Sequence, residues 1–264
     1  MRRTLAAMPF QHKNGIRYFT FESLAGLSHA VFTRQGGVSP APWDSLNVGG
    51  SVGDDIQHVR ENRIRSFDAL GRDPASIHDV WLVHGADVVH ADAPRDLTLK
   101  PPQADILTTD NPRVTLFLRY ADCVPLLFHD PQKGVVALAH AGWLGTVRGV
   151  AKATLEAMRR RYGTDARDVR AAIGPAIGPD HYEVGADVAG QIRAAFNSRA
   201  DSLLEPRGER FHLDLWQANR LQLEDAGVAQ IEVAEICTAC HTEDWFSHRA
   251  EKGKTGRFGA LIGL

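Results

Sequence analysis

The stretch 119–145, RYADCVPLLFHDPQKGVVALAHAGWLG, leaves this chain little freedom in how it can fold. Two apolar β-type runs, 124–128 and 135–139, are joined by Asp130-Pro131-Gln132-Lys133-Gly134, a turn signal, and together they predict a hairpin. Cys123 enters the first strand and His140 leaves the second. In an antiparallel pair the start of one strand lies beside the end of the next, so a thiol and an imidazole meet at one edge. Ala141-Gly142-Trp143-Leu144-Gly145 then turns into a helical pattern over 146–162, whose N-terminus would favour an anion and a lowered thiol pKa.

The rest of the chain builds around that hairpin. Residues 16–21 and 29–33 read as strands, and the second runs into the turn-rich loop 34–40. The glycines of 45–53 let backbone N–H groups crowd around a ligand or merely make an irregular connection. Asp54 or Asp55 caps a helix with apolar residues at Ile56, Val59, Phe67 and Leu70, stopped by Gly71 and Pro74. Arg63 lies near that stripe and can point into a site or into solvent. Residues 80–84 read as a strand ending at His84, and 88–90 as another run. Strands at 114–119, 169–173, 210–213, 231–236 and 258–262, and helices at 186–196 and 215–226, complete the pattern. Strands and helices interleave without a strict βαβ period, and hairpins interrupt them. The expectation is an α+β fold, an α/β sandwich with mixed sheets, in one domain spanning 1–264.

Length and an ordinary share of apolar residues suit a globular protein with a sizeable core. A formal net charge of −2 gives no footprint for nucleic acid or an anionic membrane. No run reaches the roughly 18 apolar residues of a membrane-spanning helix. The opening Met1-Arg2-Arg3-Thr4-Leu5-Ala6-Ala7-Met8-Pro9 is too short and broken for an export signal. Three cysteines, an odd number, argue for a reducing compartment, and the expected location is cytoplasmic.

His84, Cys123 and His140 each sit at a strand end beside a turn, and each is a zinc-ligating residue type. Three protein ligands with an open fourth position is the catalytic zinc pattern, with Asp122 as outer partner or general base. A Cys/His nucleophilic pair and plain structural roles remain open on spacing alone. Cys237-Thr238-Ala239-Cys240-His241 matches the haem-attachment pattern formally, but that chemistry needs export. As a zinc pair it lacks a second pair of similar spacing, so it reads as a loop with two incidental thiols. Lys252-Gly253-Lys254-Thr255-Gly256 imitates a phosphate loop, but its first glycine would have to stand where His248 is. Arg249 and Arg257 remain free to grip an anion.

Ordered motifs along nearly the whole chain resemble the YfiH family, also called the laccase-domain or polyphenol oxidoreductase family, with purine nucleoside phosphorylase and peptidoglycan editing factor among its labels. They include Phe32-Thr33-Arg34, Ser45-Leu46-Asn47, Asn62-Arg63, Val83-His84-Gly85, Ala121-Asp122-Cys123, His140-Ala141-Gly142-Trp143, Tyr182-Glu183-Val184 and Gly256-Arg257. The resemblance implies a sandwich fold similar to a cytotoxin-like cysteine hydrolase, and a His84/Cys123/His140 metal site holding zinc, with copper as the alternative. It also implies phosphorolysis of adenosine, inosine, guanosine and methylthioadenosine, and deamination of adenosine. Phosphate would fall to Arg34, Arg63, Arg257 and the backbone near Asn47, and Asp122 would handle the proton in deamination. Leu82, Leu144 and Ala176 depart from the family pattern, where glutamine, arginine and cysteine are common. True laccase chemistry is discounted, because twelve histidines include no H-x-H pair to cluster several coppers. The rival reaction is amide hydrolysis on peptidoglycan precursors.

Overall fold

In the computed structural model, residues 10–264 are described; the opening 1–9, read above as no export signal, lies outside them. Two six-stranded sheets face each other. In the first the order is Phe10–Lys13, Ile16–Phe19, Ser28–Phe32, Phe258–Gly263, Thr115–Tyr120 and Ile77–His78. The second runs Gln230–Val233, Arg170–Ile173, Val124–Asp130, Val135–Ala141, Ile106–Thr109 and Val88–His90. Both are mixed: Ile77–His78 pairs parallel to Thr115–Tyr120, and Val88–His90 parallel to Ile106–Thr109, within otherwise mostly antiparallel ladders. A small third sheet joins Glu183–Val184, Arg210–Leu213 and Leu204–Arg207.

Period-two alternation explains how so apolar a hairpin is used. Leu127, Val136 and Leu138 face the other sheet and pack with Leu116, Leu118, Phe258 and Ile262. Leu126, Phe128, Ala137 and Ala139 point the opposite way, onto Val150, Leu155, Met158 and Leu223 of the helices. A strand buried on both faces loses its polar positions, which is why these runs are continuous rather than alternating. The outer face of the first sheet is covered by helix Ile56–Leu70, with Phe67 against Phe117. The layers are therefore helix, sheet, sheet, helix, an α/β sandwich with mixed sheets.

The central hairpin forms, with Val124 opposite Ala141 and Pro125 opposite His140; Asp130 pairs with Val135, so the connection is the four residues 131–134, one fewer than the turn signal suggested. Its turn is closed by Asp130 Oδ1, which accepts from the backbone N–H groups of Gln132 and Lys133 at 2.9 and 3.1 Å, and by Gly134 at φ 63°. Helix Ile56–Leu70 begins at Asp55, whose carboxylate accepts from Gln57 N–H at 2.8 Å, and ends at Gly71 in the left-handed region.

Three expectations need correction. The helix expected over 146–162 is two helices, Trp143–Val147 and Val150–Tyr162, because Gly149 takes φ 76° between them. Helix Ile56–Leu70 buries Asn62 and Ser66 beside Val59 and Phe67, whereas Ile56 is exposed. Asn62 is buried because its amide bridges the 38–47 loop, donating to Ser45 and Asn47 carbonyls and accepting from Val38 N–H. Residues 80–84 form no strand: Trp81 makes one isolated bridge to Gln103, and the N–H groups beyond it go to a carboxylate instead of a ladder.

Candidate metal centre and substrate cavity

That carboxylate is Asp105, fully buried just ahead of strand Ile106–Thr109. Its Oδ2 accepts from the N–H groups of Val83 and Gly85 at 3.1 and 2.7 Å, and its Oδ1 from His84 N–H at 3.0 Å. The same Oδ1 lies 2.9 Å from His140 Nδ1, and the Asp105 carbonyl accepts from His140 N–H at 2.8 Å. One side chain thus folds the 83–85 turn, holding His84 at φ 57°, and orients His140. Nothing in the residue pattern singled Asp105 out; the signal was only an apolar strand opened by an aspartate.

With Nδ1 of His140 facing Asp105, its Nε2 is left toward Cys123. The ligand atoms of His84, Cys123 and His140 all lie within 4.8 Å of one another, and the two imidazoles meet edge to face with centroids 4.9 Å apart. Burial alone would raise the Cys123 thiol pKa, but the adjoining His140 and His84 outweigh it and hold the thiol down to about 6. Burial likewise works against charge on His140, yet Cys123 and Asp105 raise it to about 9. Asp105 stays lowered despite its own burial, through the His140 and backbone N–H bonds. A thiolate and two imidazoles, one backed by a carboxylate, are a donor set that fits zinc.

Gly142 closes the far side. A Cβ there would lie 3.0 Å from Cys123 Sγ and 3.2 Å from His84 Cδ2, so any larger residue must displace those two side chains by a few tenths of an ångström. Gly142→Ala is expected to push the two ligands apart and weaken zinc binding roughly tenfold or more. Competition with a chromophoric chelator measures this, and unchanged affinity would refute it.

The three residues open into a cavity of about 660 Å³, a size suited to a small organic ligand. Along its wall Arg63, Arg95 and Arg119 converge on a single buried carboxylate, Asp79. Arg95 Nε donates to Oδ1 at 2.6 Å, while Arg119 and Arg63 reach Oδ2 at 3.3 and 3.4 Å. Three cations share one anion, leaving surplus positive charge facing the cavity. Burial, reinforced by Arg119, lowers Arg63 to about 10, so it remains charged at neutral pH. Arg95, Arg119 and Asp79 were not singled out by sequence reading, since three isolated charges in separate segments carry no pattern.

The remaining candidates divide. Arg257 lines the cavity, its backbone N–H fixed by Asn47 Oδ1 at 2.8 Å. The Asn47 side chain does not line it: its fully buried amide braces Gly49 and Asp54, while the backbone near it, at Gly49, Gly50 and Ser51, does line the cavity. Arg34 is likewise a correction. It donates to the carbonyls of Asp44 and Thr242 and to Glu251, lies over the Phe246 ring, and borders a separate hollow. It ties the 34–45 loop to the C-terminal segment and is not among the residues that line the cavity. Asp122 lines the cavity at φ 83°, with Oδ1 accepting from the Thr238 hydroxyl and Oδ2 from Arg249 N–H, each at 2.7 Å. Arg249 also lies over the Tyr182 ring, 5.2 Å from its centroid.

Residues 28–264 match the family described as multi-copper polyphenol oxidoreductase laccase. The chain is 44% identical to a purine nucleoside phosphorylase of Deinococcus radiodurans over 236 residues, 89% of this chain and 88% of that one. It is 37% identical to purine nucleoside phosphorylase YfiH of Escherichia coli, covering 90% of this chain and 94% of the other. The crystal structure of a Bacillus licheniformis hypothetical protein YfiH superposes with a TM-score of 0.91 at 35% identity, over 97% and 99% of the two chains. That of YlmD from Geobacillus stearothermophilus gives 0.90 at 38% identity, over 97% and 98%. The chain belongs to the multi-copper polyphenol oxidoreductase laccase family, the YfiH family its motifs resemble.

Proposed function

We propose that this chain is a zinc-dependent purine nucleoside phosphorylase acting on adenosine, inosine, guanosine and methylthioadenosine, and that it also deaminates adenosine. The observation that carries the reading is one cavity lined both by His84, Cys123 and His140 and by the Arg63/Arg95/Arg119 cluster. The relatives named purine nucleoside phosphorylase support it. Phosphorolysis needs a cation-rich grip for phosphate beside a polar centre, and the cavity offers both. The reading also takes the protein to be cytoplasmic; among the described residues no helix is long and apolar enough to cross a membrane.

His84, Cys123 and His140 would hold the ion, with Asp105 fixing the ring of His140. When bound, zinc supplies Lewis-acid polarisation of an oxygen or of water brought to it. The three arginines receive phosphate and hold one oxygen toward C1′ of the ribose. As that oxygen bonds to C1′, the C1′–N bond breaks, its electron pair leaves with the purine, and the base takes up a proton. In this reading Asp122 relays that proton from water to the base: its two hydrogen bonds leave lone pairs free on both oxygens to take the proton up and pass it on. In deamination the same carboxylate passes protons from water adding at C6 to the departing ammonia.

Chromatography of purified protein incubated with adenosine, with and without phosphate, tests the reading. Adenine released only with phosphate and inosine formed without it are expected; neither product from zinc-loaded protein would overturn it. Arg63→Met is expected to raise KM for phosphate about 10-fold or more, the worth of a charge-assisted hydrogen bond, while KM for adenosine changes little. An unchanged phosphate KM would remove the arginine cluster from the mechanism.

A second reading, amide hydrolysis on a peptidoglycan precursor, is favoured by one arrangement. Cys123, His140 and Asp105 form a chain of thiol, imidazole and carboxylate, the layout of an activated nucleophile. Its signature is a free amino acid released from the precursor by protein that leaves nucleosides intact.

A further inference from the structure

A second cluster of soft ligands lies outside the cavity. His181, Cys237 and Cys240 present ligand atoms within 4.8 Å of one another, and none of the three lines the space around Cys123. His181 Nδ1 is 3.5 Å from Cys240 Sγ and 3.8 Å from Cys237 Sγ. The C-x-x-C pair looked incidental in the sequence because no second pair accompanies it; its third partner comes from 56 positions earlier.

Two turns sewn together build the cluster. Cys237 bridges in parallel to Ala176, and Thr238 N–H donates to the Ala176 carbonyl at 3.0 Å. The next turn carries His181, whose N–H returns to the Gly178 carbonyl at 3.0 Å. Gly178 N–H donates to Cys237 Sγ at 3.2 Å, and a Cβ on Gly178 would lie 3.1 Å from Cys237 Cβ. A C-x-x-C turn with a backbone N–H on its first sulfur is how short loops offer two thiolates to one ion. Cys237 is buried, while Cys240 and His181 are exposed, so the cluster is anchored on one side and open to an entering ion on the other.

We propose that His181, Cys237 and Cys240 form a second zinc site, independent of His84, Cys123 and His140. Two sulfurs and one imidazole select a thiophilic ion, and water completes the tetrahedron. The ion clamps the 176–182 turn to the 237–241 turn. Those turns support the cavity: Thr238 holds the Asp122 carboxylate, and Ile177 N–H donates to the Asp122 carbonyl at 2.9 Å, beside Cys123. The second ion is thus a brace for the residue next to the first site.

The test is metal counting on full-length protein, reduced, loaded with zinc and freed of excess, alongside cobalt-substituted samples. Wild type is expected to retain two ions per chain. Cys240→Ser and His181→Asn, both at exposed positions, should each retain one, and Cys123→Ala should also retain one, still showing a cobalt–thiolate absorption band. Circular dichroism matching wild type confirms that the variants are folded. Wild type holding a single ion that Cys123→Ala abolishes would overturn the proposal, as would Cys240→Ser and His181→Asn both keeping the full count. Reduced wild type that binds one ion, with Cys237 and Cys240 closing as a disulfide when reductant is removed, would overturn it in favour of a redox pair.

Discussion

Cys123→Ala is expected to abolish turnover of nucleosides, lowering kcat/KM by more than about 100-fold, the upper end for losing even an outer partner of a bound metal. Zinc at the cavity should be lost with it. The fold should survive, because the substitution removes one sulfur from a partly exposed position at a strand entry and leaves His140 still paired with Asp105. His140→Ala provides the contrast. It removes a ligand too, but it also leaves the Asp105 carboxylate buried without its imidazole, so that variant should lose stability as well as activity. Steady-state kinetics, zinc content and thermal melting of the two proteins separate the effects. A Cys123→Ala protein with wild-type turnover would show that the thiol takes no part in the reaction.

The second large effect falls on a residue that touches no substrate. Each oxygen of Asp105 faces two donors: Oδ2 those of Val83 and Gly85, Oδ1 those of His84 and the His140 ring. Asp105→Ala strands the buried Gly85 N–H and His140 ring and frees the half-buried N–H groups of Val83 and His84, a loss on the order of 3–5 kcal/mol. For a chain of this size, about 2–4 °C per kcal/mol translates that into a fall in Tm of roughly 6–20 °C. Asp105→Asn keeps the shape, but whichever way the amide turns it sets a donor against donors, so it too should be destabilised, by less. Both variants should bind zinc about 10–100-fold more weakly, since His140 loses its orientation and His84 its turn. Differential scanning calorimetry with a chelator titration checks both parts. An Asp105→Ala protein melting with wild type would mean that water replaces the carboxylate, and the cradle would lose its claim to shape the site.

Much of the layout was legible along the chain, because its signals are local. The hairpin, the Asp55 cap and Gly71 stop, and helices Ala186–Phe196 and Leu215–Asp225 follow from turn residues and periodicity over a few positions. Strands Phe10–Lys13 and Leu204–Arg207 were missed, being edge strands with mostly exposed, polar faces that make no apolar pattern. The apolar run before His84 misled in the opposite direction. Val80 is buried by packing, not by a ladder, and Asp105 satisfies the turn that follows.

Sequence alone indicated that Cys123 and His140 would meet at one strand edge, because a short turn between two apolar runs pairs the start of the first with the end of the second. It indicated as well an α/β sandwich with mixed sheets around that hairpin; burial of the hairpin on both faces was for the packing to show. Tertiary structure decided everything that depends on distant segments meeting. It brought His84 to the pair through a carboxylate 21 positions away, gathered Arg63, Arg95 and Arg119 on Asp79, turned Arg34 and Asn47 into loop braces, and delivered His181 to Cys237 and Cys240. Caps, turns and periodicity act over one or two turns of chain. A shared carboxylate acts only where packing of the whole core has already placed its partners, and no short window of residues encodes that placement.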